Sequence, residues 1–203
     1  MSNDITKTNP ILIDIPMPIV TPRLTIRPPQ AGDGAAMFKN KVDSFKELNQ
    51  WMPWAKELGT EEQSEITARE AQAKFQNRTD IMLLGFLNDG GDLAVSTGLH
   101  RMDWELRTFE IGYYVATPHT GKGFATESTN ALIRYAFNAL AAPKVSICHA
   151  AGNDASARVI EKLGFELEGI FKRDARLNDG TITDHHWYAR FDDKNLPHLD
   201  VRW

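Results

Sequence analysis

Hydrophobic and polar positions change period several times along the chain. Arg23 to Arg27 (RLTIR) alternates charged and apolar residues, which predicts a strand closed by Pro28-Pro29. From Asp33 to about Gln50 the apolar positions Ala36, Met37, Val42, Phe45 and Leu48 fall at helical spacing, and WMPWA (Trp51 to Ala55) breaks the pattern. Thr60-x-x-Gln63 is a capping box, so a second helix runs from there to about Arg78. Strand periods follow. Asp80 to Leu87 is a continuous apolar run, Asp89-Gly90-Gly91-Asp92 is turn chemistry, and strands are expected from Leu93 and over Thr108 to Val115. Past two glycines, Ala125, Leu132, Ile133, Ala136 and Leu140 mark one helix face. Lys144 to Ala151 reads as a strand. A short helix follows, capped by Asn153 or Asp154 and stopped by Gly164. Strands around residues 166–173 and 181–191 flank the turn Asn178-Asp179-Gly180. This order predicts a mixed α/β sheet with helices on its faces.

The 203 residues fit one domain with a sizeable core, and 42% apolar with 25% charged residues is ordinary globular composition. Residues 1–20 read as an N-terminal arm, 21–192 as the folded domain and 193–203 as a C-terminal tail. A net charge of −4 supplies no field for nucleic acid. Cys148 is the only cysteine, so no intrachain disulfide forms, which suits a reducing compartment. The first residues lack a basic start and carry Asp14, Pro16 and Pro18 within their apolar part, unlike a signal peptide. No run is long and apolar enough to span a bilayer, and the expectation is a cytoplasmic protein without membrane partners.

The candidate chemistry begins at Thr120-Gly121-Lys122-Gly123-Phe124-Ala125, between a strand and a helix. Free N–H groups and the dipole at a helix start favour an anion, and glycines let backbone approach it closely. Ala116 stands where a Walker loop needs its first glycine, and Thr126 stands where the dinucleotide fingerprint needs its third. What remains is a pyrophosphate held by backbone amides.

That loop resembles the pyrophosphate loop Gln/Arg-x-x-Gly-x-Gly/Ala of the GCN5-related N-acetyltransferase (GNAT) family, with Thr120 departing at the first position. TPRLTIRP, WMPWA, FEIGYYV with GKGFATES, and Asn153-x-x-Ser156 with EKLGFELEG resemble, in order, the ribosomal-protein serine acetyltransferase-like (RimJ/RimL-type) branch over about residues 21–190. The resemblance implies the acyl-CoA N-acyltransferase fold, a mixed, mostly antiparallel sheet of six to seven strands with helices on both faces. It implies acetyl-CoA as co-substrate, no metal, and direct transfer to a primary amine, foremost the α-amine of a protein or peptide. A small-molecule amine such as an antibiotic or polyamine, or an acyl-CoA sensor without turnover, are the alternatives. The branch also brings a homodimer into view.

The resemblance places residues in roles. Thr120, Gly121, Lys122, Gly123, Phe124, Ala125 and Thr126 would cradle pyrophosphate, Lys122 as a point charge or as a bland exposed lysine. A backbone N–H near Tyr114 or Val115 would polarise the thioester carbonyl. Asn153 would hold the pantetheine arm, cap its helix, or both. Ser156 would protonate the leaving thiolate or merely bond backbone in the first turn. Glu110 would be the base, or a strand carboxylate paired with Arg101 or Arg107. The branch's own glutamate falls at Ala175, which cannot take a proton, and strand alternation would turn Asp174 to the opposite face. Trp51, Pro53 and Trp54 would wall the acceptor cleft or serve the core. His185 and His186 would face opposite ways without metal-ligand spacing, and Cys148 would be a core residue of its strand.

Overall fold

A computed structural model describes residues 9–203. Its centre is one eight-stranded sheet in the order β1-β2-β3-β4-β5-β6-β8-β7. The strands are β1 (Ile19–Val20), β2 (Leu24–Arg27), β3 (Ile81–Leu87), β4 (Leu93–Asp103), β5 (Thr108–Val115), β6 (Lys144–Ala150), β7 (Glu166–Arg176) and β8 (Ile182–Arg190). Among the described residues only β5 and β6 pair in parallel. The helices are α1 (Gly34–Asp43), α2 (Phe45–Trp51), α3 (Glu61–Asn77), α4 (Phe124–Asn138) and α5 (Asp154–Lys162).

Alternation along the strands sorts the layers. Leu83, Leu99, Phe109 and Ile111 share the main core with Leu132 and Ile133 of α4 and Ile160 of α5. On the opposite face, Leu84 and Leu93 pack with Met37 of α1 and Ala68 of α3. Burial of these apolar side chains is the main stabilising term, about 1.5–3 kcal/mol for each Leu, Ile, Phe or Met fully buried. The capping box at Thr60 forms in full, and Arg78 ends α3 in the left-handed region.

Three departures from the expected elements have physical causes. The helix expected over Asp33 to Gln50 is two helices, because Ser44 leaves helical geometry at φ −123°. Its hydroxyl accepts the Thr117 N–H at 2.9 Å, tying the break to the loop after β5. An eighth strand, β1, forms where an arm was expected, and Val20 exchanges two backbone hydrogen bonds with Arg202 from the chain's last residues. Finally, β7 runs past its expected end and carries an irregularity between Phe171 and Ala175, with Arg173 at φ 56°.

The feature that positions the site is a splay. β5 pairs with β6 only over Thr108–Glu110 against Lys144–Ser146. Beyond that, β6 continues along β8 to Ala150 while β5 continues along β4 to Val115, so a gap opens between two strands of one sheet.

Candidate active site

The register fixes which amides face the gap. Ala116 N–H donates to Ala94 O, and β4–β5 pairing is unbroken from Val95↔Val115 to His100↔Glu110. Hydrogen-bonded and non-bonded pairs alternate in an antiparallel ladder. The backbone groups of Tyr114 and Gly112 therefore turn to β4, and those of Ile111, Tyr113 and Val115 turn to the gap. Of the two amides expected to polarise a carbonyl, only that of Val115 is aimed there. The amides of Ile111 and Tyr113, which the sequence did not single out, face the gap as well.

A cavity of about 850 Å³ lies on the α4–α5 side of the gap. Its walls include Tyr114, Val115, Thr120, Gly121, Gly123, Phe124, Ala125, Thr126, Asn153 and Ser156. Gly121 and Gly123 sit at φ 74° and 85°, a backbone region that side chains disfavour. Gly123 starts α4 with no side-chain cap. The N–H groups of Phe124, Ala125 and Thr126 consequently have no partner within the helix, and these residues line the cavity, as an anion site requires. These residues fit a pyrophosphate. Lys122 does not line the cavity. Its carbonyl instead accepts Arg23 Nη1 at 2.8 Å. The cations on the wall are Arg158 and Lys162 of α5, one turn apart on the face of that helix turned to the loop. The Thr120 hydroxyl donates back to Thr117 O at 2.8 Å.

The loop is anchored from below. Glu127, buried in the first turn of α4, accepts the Thr21 hydroxyl at 2.7 Å and the Arg23 guanidinium at 2.5 Å. The Arg23 guanidinium also stacks over Phe124, 4.4 Å from the ring centre. Asn153 Oδ1 accepts the Ser156 N–H at 3.2 Å, so it caps α5 while lining the cavity. Ser156 Oγ lies 3.1 Å from the Tyr113 hydroxyl. Burial pushes the Tyr113 phenol up to about 12, so this pair carries its protons at neutral pH.

A second cavity, of about 650 Å³, opens on the opposite side of the sheet. Tyr113, Tyr114, Asn153, Ser156, Trp51 and Met52 line both cavities, so the two meet across the splay. Trp51, Pro53 and Trp54 wall the second, with the Trp54 ring 5.9 Å from that of Tyr114. The Asn178 side chain at the β7–β8 turn holds this wall by donating to Asn49 O at 2.8 Å and Met52 O at 3.0 Å.

Glu110 lines this second cavity, but its Oε2 accepts Arg101 Nη1 at 2.6 Å, and the Cys148 thiol points to its Oε1 at 3.7 Å. The ion pair considered from sequence is therefore present. Arg107 is elsewhere, donating to Leu140 O. Cys148 is not a core residue but part of this wall, and burial, with Glu110 beside it, pushes its thiol up to about 12. The β7 irregularity overrides alternation, and Asp174 and Ala175 both line the cavity rather than facing apart. Asp174 Oδ2 lies 3.3 Å from His185 Nδ1. His186 turns to the other side, its ring 5.1 Å from that of His149.

A strand splayed from its parallel neighbour separates an amide-lined anion loop on one side from a charged cleft on the other, a layout that suits group transfer from a pyrophosphate-bearing donor. The profile of the acetyltransferase (GNAT) domain matches residues 23–166, and the chain belongs to this family. "Putative ribosomal N-acetyltransferase YdaF" of Bacillus subtilis is 31% identical over 84% of this chain and 92% of its own length. The ribosomal-protein-serine acetyltransferase of Escherichia coli is 28% identical over 72% of this chain and 80% of its own. Among solved structures, RimL, a ribosomal L7/L12 alpha-N-protein acetyltransferase in complex with coenzyme A, superposes with a TM-score of 0.79 at 22% identity, covering 87% of this chain and 98% of that one. The microcin C7 self-immunity acetyltransferase MccE, in complex with acetyl-CoA and AMP, gives 0.78 at 20%, covering 84% and 93%. The chain is an N-acetyltransferase of the GNAT type.

Proposed function

We propose that this enzyme moves an acetyl group from acetyl-CoA to the α-amine of a protein or peptide N-terminus. The observation that carries this reading is the meeting of two cavities at Tyr113, Tyr114, Asn153 and Ser156. The loop amides, Arg158 and Lys162 hold the pyrophosphate, and Asn153 holds the arm that leads to the splay. The Tyr113 and Val115 amides donate to the carbonyl oxygen where negative charge develops. The Ser156–Tyr113 hydroxyl pair returns a proton to the leaving sulfur. Trp51, Pro53 and Trp54 guide a chain end into the second cavity. An α-amine suits the site because its pKa, roughly 7.7–8.0, asks less of a base than a lysine near 10.4. The names of YdaF and of the Escherichia coli relative support a ribosomal-protein acceptor.

Thiol release from acetyl-CoA is the test, run with peptides of different N-terminal residues beside aminoglycosides, polyamines and aminoacyl nucleotides. Turnover confined to peptides supports the reading. Turnover confined to small amines replaces it, and tight binding with no release makes the chain a sensor.

A further inference from the structure

The acceptor face of β4 and β5 holds a second feature, which rests on the acetyl-transfer reading above. Residues 98 and 112 face each other across the two strands, and both are glycine. The His100 imidazole lies in the slot they leave. A Cβ on Gly112 would stand 3.0 Å from His100 Cδ2 and 3.4 Å from Nε2. A Cβ on Gly98 would stand 2.7 Å from Cε1 and from Nε2, and 2.5 Å from the Ile81 carbonyl oxygen. The other side of the ring is fixed by Asp80, whose Oδ1 lies 2.8 Å from Nδ1. A carboxylate accepts only, so this contact places the imidazole proton on Nδ1 and leaves Nε2 as an acceptor. His100 lines the acceptor cavity, and Nε2 has no hydrogen-bond partner among the described residues.

We propose that His100, oriented by Asp80, is the general base that takes the proton from the acceptor amine. Nε2 removes a proton from the bound ammonium and passes it to solvent. The freed nitrogen lone pair forms the N–C bond and the C–S bond breaks. The second amine proton ends on the sulfur by way of the Ser156–Tyr113 pair, so one acetyl-CoA and one ammonium give one amide, one thiol and one released proton. Glu110 is a poorer candidate because it is held by Arg101 at 2.6 Å. Asp174 and His185 form a longer pair at 3.3 Å, with the Asp174 side chain 53% exposed. The charged and titratable groups facing His100 are Asp80 before β3, Arg101 on β4, and Glu110, Tyr113 and Tyr114 on β5. Across the cavity stand Cys148 and His149 on β6, Asp174 and Arg176 on β7 and His185 on β8.

The experiment compares wild type, His100→Gln, Asp80→Asn and Glu110→Gln with acetyl-CoA and whichever amine of the thiol-release panel the wild type turns over best. His100→Gln is expected to lower kcat/KM at pH 7 by about a hundredfold or more, within the range of about 10²–10⁴ for general bases. The acid-side inflection of the pH–rate profile should vanish, and the deficit should shrink above the pKa of the amine itself, roughly 7.7–8.0 for an α-amine. Acetyl-CoA affinity should change less than twofold, and Asp80→Asn should act in the same direction more weakly. NMR of isotope-labelled imidazole nitrogens gives a readout that needs no acceptor: the His100 proton should sit on Nδ1, and should redistribute in Asp80→Asn. If His100→Gln does not fold, Asp80→Asn and the tautomer decide. A proton on Nε2, or an inflection that survives in both variants and disappears in Glu110→Gln, overturns the proposal. A wild type that acetylates no amine removes the function and the proposal together.

Discussion

Tyr113 and Tyr114 are neighbours in sequence and belong to different chemistry. The Tyr113 hydroxyl pairs with that of Ser156, while the Tyr114 ring meets that of Trp54. The strand period of two was legible, but which parity faced the donor was not, because that depends on the pairing with β4. Asp174 was misread for a related reason. Its face is set by a bulge, and a bulge leaves no mark in a hydrophobic pattern. His100 was hidden because its partners, Asp80, Gly98 and Gly112, come from three segments. Cys148 gives a residue-scale prediction. With its thiol near 12, alkylation by iodoacetamide at pH 7.5 should be far slower than for a free cysteine, whose ordinary value is 9.0. Glu110→Gln should speed it, since that carboxylate's charge helps raise the thiol. A rate equal to that of free cysteine would contradict the buried, carboxylate-flanked position.

The glycine loop and the helix behind it were legible as an element, because two glycines before an amphipathic helix are a local signal. Their anchoring was not. Glu127 reaches Thr21 and Arg23 at the start of β2, a contact 104 residues away for Arg23. Glu127→Ala leaves the Arg23 N–H without its acceptor and the Thr21 hydroxyl with only the longer contact to Leu24 O at 3.3 Å, and should cost about 1–3 kcal/mol in urea unfolding. It should also weaken acetyl-CoA binding, because Arg23 holds the Lys122 carbonyl of the loop. Unchanged stability together with unchanged affinity would show that the loop does not depend on this clamp. The broken helix at Ser44 has a similar origin. Helical spacing continues through the break, and the hydrogen bond from Thr117 that accompanies it is long-range.

For the whole molecule, the order of elements carried the fold class, and the repeated alternation of strands and helices sufficed for it. The eighth strand escaped because Ile19 and Val20 are too short a run to read alone, and Val20 pairs with Arg202 at the far end of the chain. Alkaline pH tests the packing of the sheet as a unit. Cys148, Tyr113 and Tyr114 are all raised to about 12, chiefly by burial, from ordinary values of 9.0 and 10.0. A raised acid binds its proton more tightly when folded, so its contribution is complete below the unfolded pKa and is lost as pH rises through the folded one. The melting temperature should therefore be insensitive to these three groups up to pH 9 and fall steadily from there toward pH 12. No fall across that window would mean the groups are not buried as described.

Delivery of an acetyl group across the splay, from one cavity to an α-amine in the other, can be read by mass spectrometry of N-terminal peptides incubated with enzyme and acetyl-CoA. A single acetyl group on the α-nitrogen, formed only with active enzyme and reduced in His100→Gln at pH 7, is the predicted result. Peptides that remain unmodified while acetyl-CoA is bound or consumed on small amines would contradict it.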